Sequence, residues 1–156
     1  MRRQDRAIED PGQIREIVEK CACCRLGFWD GGEVYIVPLN YGYEIENGTY
    51  VFYFHGAKAG RKYDLIQKKP TVGFELDCDY ELVPTQTTCQ FTGFYKSIIG
   101  TGVVESITEF AEKERGLRIF MEHATHKTGW EFPPAMVDKT EIFKLTVTKM
   151  TAKAHQ

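Results

Sequence analysis

The segment Phe54-His55-Gly56-Ala57-Lys58-Ala59-Gly60-Arg61-Lys62 brings three cations and a histidine together in a short stretch. β-rich residues precede it and helix formers follow, so a strand ends where glycines loosen the backbone and a helix begins. A helix start offers free N–H donors and the positive end of its dipole. Lys58, Arg61 and Lys62 would add charge-assisted hydrogen bonds, an arrangement suited to a phosphate. The spacing is not Gly-x-x-x-x-Gly-Lys-[Ser/Thr], so this is no P-loop. By spacing alone a solvated basic turn is the other reading, and composition does not separate the two.

Other groups with chemical potential fare less well. Cys21-Ala22-Cys23-Cys24 contains a Cys-x-x-Cys spacing, but Cys78 and Cys89 lie apart and form no second pair. Cys21 also falls on the apolar face of the first expected helix, where thiol packing accounts for it. His123-Ala124-Thr125-His126 lacks the carboxylate of His-Glu-x-x-His and sits where a helix ends, a position that favours cations. No metal site is therefore expected. The absence of Gly-x-Ser-x-Gly, and of a Gly-x-Gly-x-x-Gly between strand and helix, argues against an α/β-hydrolase and a Rossmann fold.

The elements that must position the basic turn follow from pattern. Asp10-Pro11 is an N-cap followed by proline at the first helical position, and Ile14, Ile17, Val18 and Cys21 recur at helical spacing. Asp30-Gly31-Gly32 and Asn47-Gly48 are hairpin turns between β-rich runs. A short helix is expected over 61–68, ending before Pro70. Strands are expected over 71–76 and 90–104, with Gly93, Gly100 and Gly102 permitting curvature or bulges. Ser106-Ile107-Thr108-Glu109 has capping-box spacing, and Phe110, Leu117, Phe120 and Met121 then share a helical face up to about His123. A last strand runs from 141 to 147 and on toward Met150. Many strands in meander order with few short helices predict a mainly β, antiparallel, closed or nearly closed barrel.

Composition bounds the rest. A chain of 156 residues fits one domain, 1–156, and 42% hydrophobic with 27% charged residues predicts a folded core. Twenty Lys and Arg against 22 Asp and Glu exclude a general attraction for nucleic acid or an anionic membrane. The basic start, Met1-Arg2-Arg3-Gln4-Asp5-Arg6, leads into no apolar export core, and no run reaches the ~20 apolar residues of a membrane helix. With five cysteines, an odd number, free thiols in a reducing cytoplasm are expected.

The segment from His55 to Ile66, followed by Pro70, resembles the His-small-Ala-Lys-x-Gly-basic-Lys-x-Asp-x-Ile stretch of the nitroimidazole-reductase-like branch of the pyridoxamine phosphate oxidase-like, FMN-binding split-barrel proteins. The resemblance extends in order to Met1-Arg2-Arg3, Leu26-Gly27, Tyr35-Ile36-Val37-Pro38-Leu39-Asn40-Tyr41-Gly42-Tyr43, Tyr95-Lys96-Ser97-Ile98-Ile99 and Met150-Thr151-Ala152-Lys153. It implies a Greek-key-like split β-barrel forming a homodimer, with FMN in a cleft at the subunit interface. Val37, Pro38, Leu39, Asn40 and Tyr41 would lie along the isoalloxazine ring. Lys58, Arg61 and Lys62 would hold the phosphate, and Ser97 and Ile98 would approach the flavin.

His55 matches a histidine that this branch keeps near the flavin, facing the substrate. There it would orient a nitro or carboxylate group or donate a proton; its other reading is a ring that hydrogen-bonds the strand end. The implied activity is an FMN-dependent oxidoreductase, taking electrons from NADH, NADPH or a small acid to a nitro-aromatic or similar acceptor. The alternative is a flavin- or haem-binding barrel without turnover. Pyridoxamine phosphate oxidation itself is not expected, because the C-terminal Arg-Leu-x-Pro segment is missing. Gly56, Phe94 and Trp130 depart from the family pattern, and 125–137 has no counterpart in it.

Overall fold

The computed structural model describes residues 3–156; Met1 and Arg2, which open the first family-like anchor, lie outside the described residues. A 3-10 turn (Gln4–Arg6) leads into the two-residue strand β1 (Ala7–Ile8). Helix α1 (Pro11–Lys20) starts as the sequence predicts, with Asp10 Oδ2 accepting from the Gln13 N–H at 2.8 Å and Ile17 and Val18 turned into the core. Hairpins follow: β2 (Cys24–Asp30) with β3 (Glu33–Leu39), and β4 (Gly42–Glu46) with β5 (Thr49–Ala57). Asn47 and Gly48 both take positive φ, 49° and 82°, as the tight turn of a twisted hairpin requires. Helix α2 (Arg61–Ile66) is shorter than expected. Lys69 then takes a φ of 49° and turns the chain into Pro70 and β6 (Thr71–Val83).

β7 (Thr92–Ile107) and β8 (Thr140–His155) are each sixteen residues long and form the spine of the sheet. A register shift at Thr101/Gly102 provides the bulge anticipated from the glycines. Between these strands lie α3 (Phe110–Thr125) and α4 (Pro134–Lys139). The capping-box expectation is corrected here. β7 runs on through Ser106, whose hydroxyl accepts from Gln67 Nε2 and donates to Glu141, while Glu109 itself caps α3 by accepting from the Glu112 N–H. Phe110 is exposed, and the buried face of α3 is Lys113, Gly116 and Phe120.

The strands form one antiparallel sheet in the order β3-β2-β6-β7-β8-β5-β4, with β1 added to β8. The meander expectation holds inside the two hairpins and across β6, β7 and β8, and breaks where β2 pairs with β6 and β5 with β8. The two terminal strands of this path, β3 and β4, are consecutive in the chain yet do not pair with each other, and this gap is the split in the barrel. Inward-facing Leu26, Phe28, Phe52, Phe54, Phe74, Ile98, Phe143 and Leu145 fill the interior, and Val51, Tyr53, Ile107 and Ile142 form a second cluster beneath α3. Outward, the β2–β3 hairpin leaves Trp29, Val34 and Ile36 each more than 60% exposed. Gly27 pairs with Ile36 on one side and Gly73 on the other, so a flat strip without side chains crosses this face.

Candidate functional site

The basic turn forms where β5 leaves the sheet. Gly60, at a φ of 92°, precedes the first residue of α2, and its carbonyl accepts from the Asp64 N–H at 3.1 Å. The three cations of the turn have different neighbours. Lys58 Nζ donates to the Asp138 carbonyl at the end of α4. Arg61 Nε donates to Asp30 Oδ2 at 2.7 Å, its Nη2 donates to Glu33, and the guanidinium carbon lies 4.4 Å from the centre of the Tyr35 ring.

Lys62 has no carboxylate partner among the described residues; its ammonium lies 5.5 Å from the centre of the Phe143 ring. Gly56 makes room for it, since a Cβ there would stand 3.0 Å from Lys62 Nζ. The unexpected glycine at position 56 thus has a local cause. Burial pushes Lys62 below the ordinary lysine pKa.

His55 is the neighbouring residue on β5, with its ring edge-to-face against Phe120 of α3 at 4.5 Å. Burial first, and then the Lys62 charge, lower its pKa. Lys62 supplies the positive charge of the pair and the solvent-reached His55 ring a hydrogen-bond donor, which suits an anionic ligand bound between them.

The other predicted residues lie elsewhere. Val37 and Leu39 face the interior from β3, and Pro38 faces outward. Asn40 Nδ2 donates to the Ala22 carbonyl at 2.7 Å. Tyr41 is buried, its hydroxyl donating to the Val18 carbonyl at 2.6 Å and its ring stacked on His123. The segment can therefore meet a ligand through the free backbone edge of β3 and the exposed Pro38, not through the tyrosine ring. Ile98 points into the core, while Ser97 sits on the opposite face opposite Asp77 and Lys153.

Ser97 does not join the basic turn within one chain. Lys62 stands over Phe143, whose β7 partner is Ser106, and nine residues of strand separate Ser106 from Ser97, about 30 Å of extended chain.

Two features escaped the sequence reading. Lys113 is buried on α3, with its ammonium donating to the Val137 and Asp138 carbonyls. The signal was a lysine in register with Gly116 and Phe120 on the buried face. Burial, and then the charge of Lys58, lower its pKa. A cavity of about 540 Å³ between α1, β4 and α3, lined by Arg15, Glu19, Tyr43 and His123 among others, contains none of the residues assigned by the resemblance. Among the described residues no cluster of His, Cys, Asp or Glu could hold a metal, and no helix is long and apolar enough to cross a membrane. The five cysteines are free.

An antiparallel barrel split between β3 and β4, with a basic strand-to-helix turn at one end, defines the split-barrel class. The chain belongs to the pyridoxamine 5'-phosphate oxidase family, whose model matches residues 10–154. Among solved structures it is similar to a candidate 5-nitroimidazole antibiotic resistance protein from Bacteroides thetaiotaomicron: 30% identity, 95% of this chain and 86% of that one covered, TM-score 0.81. That match agrees with the branch expected from the sequence. The fold also resembles the flavocytochrome Anf3 of Azotobacter vinelandii, at 18% identity, 100% and 72% coverage and TM-score 0.81. A FAD- and haem-binding protein of Mycobacterium smegmatis aligns at 11% identity, 97% and 74% coverage and TM-score 0.79. No curated protein sequence matches the chain.

Proposed function

We propose that the protein is an FMN-dependent oxidoreductase that reduces nitro-aromatic or related small acceptors. The observation that carries this reading is the half-buried, carboxylate-free Lys62 ammonium beside His55, at the turn whose residues match the family. A desolvated cation without a counter-charge is a site that gains by taking up an anion, and the FMN phosphate is one of the right charge. The donor set fits that group. Lys62 would hold the phosphate with its neighbours Lys58 and Arg61, the backbone from Val37 to Tyr41 would support the ring, and Ser97 would approach it, with Ile98 behind it filling the core. When bound, the flavin supplies the electron transfer; the protein supplies placement and electrostatics. His55, kept neutral, would donate a hydrogen bond from its ring N–H to a nitro or carboxylate oxygen of the acceptor and so orient it.

The reading requires a second copy of the chain. Ser97 and the basic turn lie too far apart to serve one flavin within a monomer, so a partner would bring its Ser97 to this turn. The exposed Trp29, Val34 and Ile36 offer an apolar face for that contact.

The absorption spectrum of purified protein, with and without added FMN, tests the cofactor. A yellow protein whose flavin bleaches with a reductant and recovers on adding a nitro-aromatic supports the enzyme, and His55→Ala should slow the recovery with FMN still bound. Bound flavin that never reoxidises with acceptors supports a carrier, a haem band supports haem binding, and a colourless protein that takes up no FMN rejects the reading. Sedimentation of wild type against Ile36→Glu tests the second copy, which should be lost together with flavin uptake.

A further inference from the structure

Cys21 is the C-cap of α1, and Cys78 stands on β6 just before the bulge, where the register on β7 shifts between Cys78 and Glu81 and Asp79 takes a φ of 58°. Far apart in sequence, the two meet in the fold. β2 runs antiparallel to β6 with Gly27 opposite Gly73, Leu26 opposite Phe74 and Arg25 opposite Glu75, and the same register followed outward leads Ala22 to Cys78. Beyond it the Lys20 ammonium pairs with Asp79, which also takes Lys96 at 3.4 Å. Both cysteines pack in the main core cluster, Cys21 buried and Cys78 half-buried at the end of the inward row of Phe74 and Leu76. The Cys21 S–H donates to the Cys78 sulfur.

We propose that Cys21 and Cys78 form a reversible dithiol–disulfide site, oxidised by a peroxide that reaches Cys78 from solvent. The half-exposed thiol is the point of entry, because Cys21 is closed to solvent behind it. The Cys78 thiolate attacks one peroxide oxygen and the O–O bond breaks. Cys78 becomes a sulfenic acid, and the departing hydroxide takes the proton that the thiol gave up. The Cys21 sulfur then attacks the Cys78 sulfur; the S–S bond forms, the S–O bond breaks, and the leaving hydroxide takes the Cys21 proton. One peroxide is reduced to two waters, and each sulfur gives up one electron. Burial raises the Cys78 pKa and Asp79 adds to the rise, while the Cys21 S–H, Lys20 and Lys96 oppose it. Oxidation should therefore speed about tenfold per pH unit while the thiol is mostly protonated. The disulfide joins the end of α1 to β6 beside Ala22, whose carbonyl accepts from Asn40. It uses none of the residues of the basic turn and stands whether or not the chain binds a flavin.

Full-length protein, reduced and then freed of reductant, is treated with a small excess of hydrogen peroxide, digested at low pH without reductant and mapped by mass spectrometry. Fragmentation assigns the link among Cys21, Cys23 and Cys24. The expected product is a Cys21–Cys78 peptide pair, lighter than its parts by two hydrogens and separated again by dithiothreitol. The oxidised protein should melt about 5–15 °C higher, because the bond closes a long loop of the unfolded chain. Cys21→Ser should halt the reaction at a Cys78 sulfenic acid, which dimedone traps. Cys78→Ser should leave Cys21 reduced, and Cys89→Ser should oxidise as wild type does. The proposal is overturned if Cys78 stays a thiol while the exposed Cys89 is oxidised. A Cys78 carried to the sulfinic acid beside a reduced Cys21, or joined instead to Cys23, Cys24 or Cys89, overturns it as well. So does an unchanged or lower Tm of the disulfide form, which would mean that the fold must distort to make the bond. If a serine variant does not fold, the wild-type map and its Tm decide alone.

Discussion

Replacing Lys62 with Met should stabilise the flavin-free protein and at the same time impair its binding of FMN. Lys62 is half-buried over Phe143, fills the space left by Gly56 and has no carboxylate partner among the described residues. Its charge is therefore desolvated without compensation, which is why its pKa falls below 10.5. Below the lowered folded value both states keep the proton and the folded protein bears the whole penalty. Between that value and 10.5 the unfolded chain holds a proton the folded chain has released, so this contribution to stability improves as pH rises. Methionine has a similar length, packs against Phe143 and has no charge. It should raise stability at neutral pH by about 1 kcal/mol, or roughly 2–4 °C in Tm for a chain of this size. The same variant gives up one charge-assisted hydrogen bond to the phosphate, about 1.5–3 kcal/mol, or about 10- to 150-fold in affinity. Thermal unfolding of the flavin-free proteins from pH 7 to 10, with FMN titration at pH 7, measures both effects. A lower Tm for the variant, or a wild-type-minus-variant difference that grows more unfavourable to wild type with rising pH, refutes the electrostatic reasoning.

Tyr41→Phe keeps the ring on His123 and Phe52 but leaves the Val18 carbonyl without its buried donor, and urea unfolding should show a loss of about 1–2 kcal/mol. A loss near zero would mean that water replaces the hydroxyl. A thiol reagent should label the exposed Cys89 readily, whereas Cys21 and Cys24, buried and with pKa values pushed up by that burial, should react only as the protein unfolds; prompt labelling of either would contradict their packing. His55 has a folded pKa below 6.5 from burial and the Lys62 charge, so its contribution to stability is present above pH 6.5 and is lost as pH falls through 6.5 toward the lowered value. His55→Gln, which cannot titrate, should flatten that part of the acid limb in chemical denaturation, and identical limbs would show that His55 is not the group responsible.

The parts of the fold that local chemistry dictates were legible in the sequence. Asp10-Pro11 starts α1, Asn47-Gly48 turns a hairpin and α2 ends before Pro70, because each depends on a few adjacent backbone angles and donors. What the sequence could not show is decided at a distance. Ser106 and Glu109 have the spacing of a cap, but pairing with β8 draws Ser106 into β7, where its hydroxyl serves Gln67 and Glu141. The two-residue β1 exists only because Ala7 and Ile8 meet Lys153 and Ala152. α4 is held by Lys113, which projects from another helix. In the candidate site, charge type grouped Lys58, Arg61 and Lys62 correctly as neighbours in the chain, but their partners, a carbonyl, two carboxylates and none, are tertiary facts.

The same distinction explains why the predicted site residues do not converge in a single chain. A barrel keeps its side chains either inside, where Ile98 and Tyr41 are committed to packing, or outside, where Ser97 and Pro38 are free. A ligand as large as a flavin therefore cannot enter the filled interior. On the proposed reading it would lie on the outer surface, along the unpaired edge of β3 and the turn below it. An outer surface gives little shelter from water, and electron transfer through a flavin needs control over what reaches the ring. The exposed Trp29, Val34 and Ile36, and the bare Gly27–Gly73 strip beside them, lie on that same face. Strand glycines usually mark a place where another backbone or a ligand comes close, and a Cβ at Gly27 or Gly73 would make only ordinary van der Waals contacts within this chain. Nothing within this chain demands glycine at either position, and the bare strip is the face on which the proposed second copy would lie.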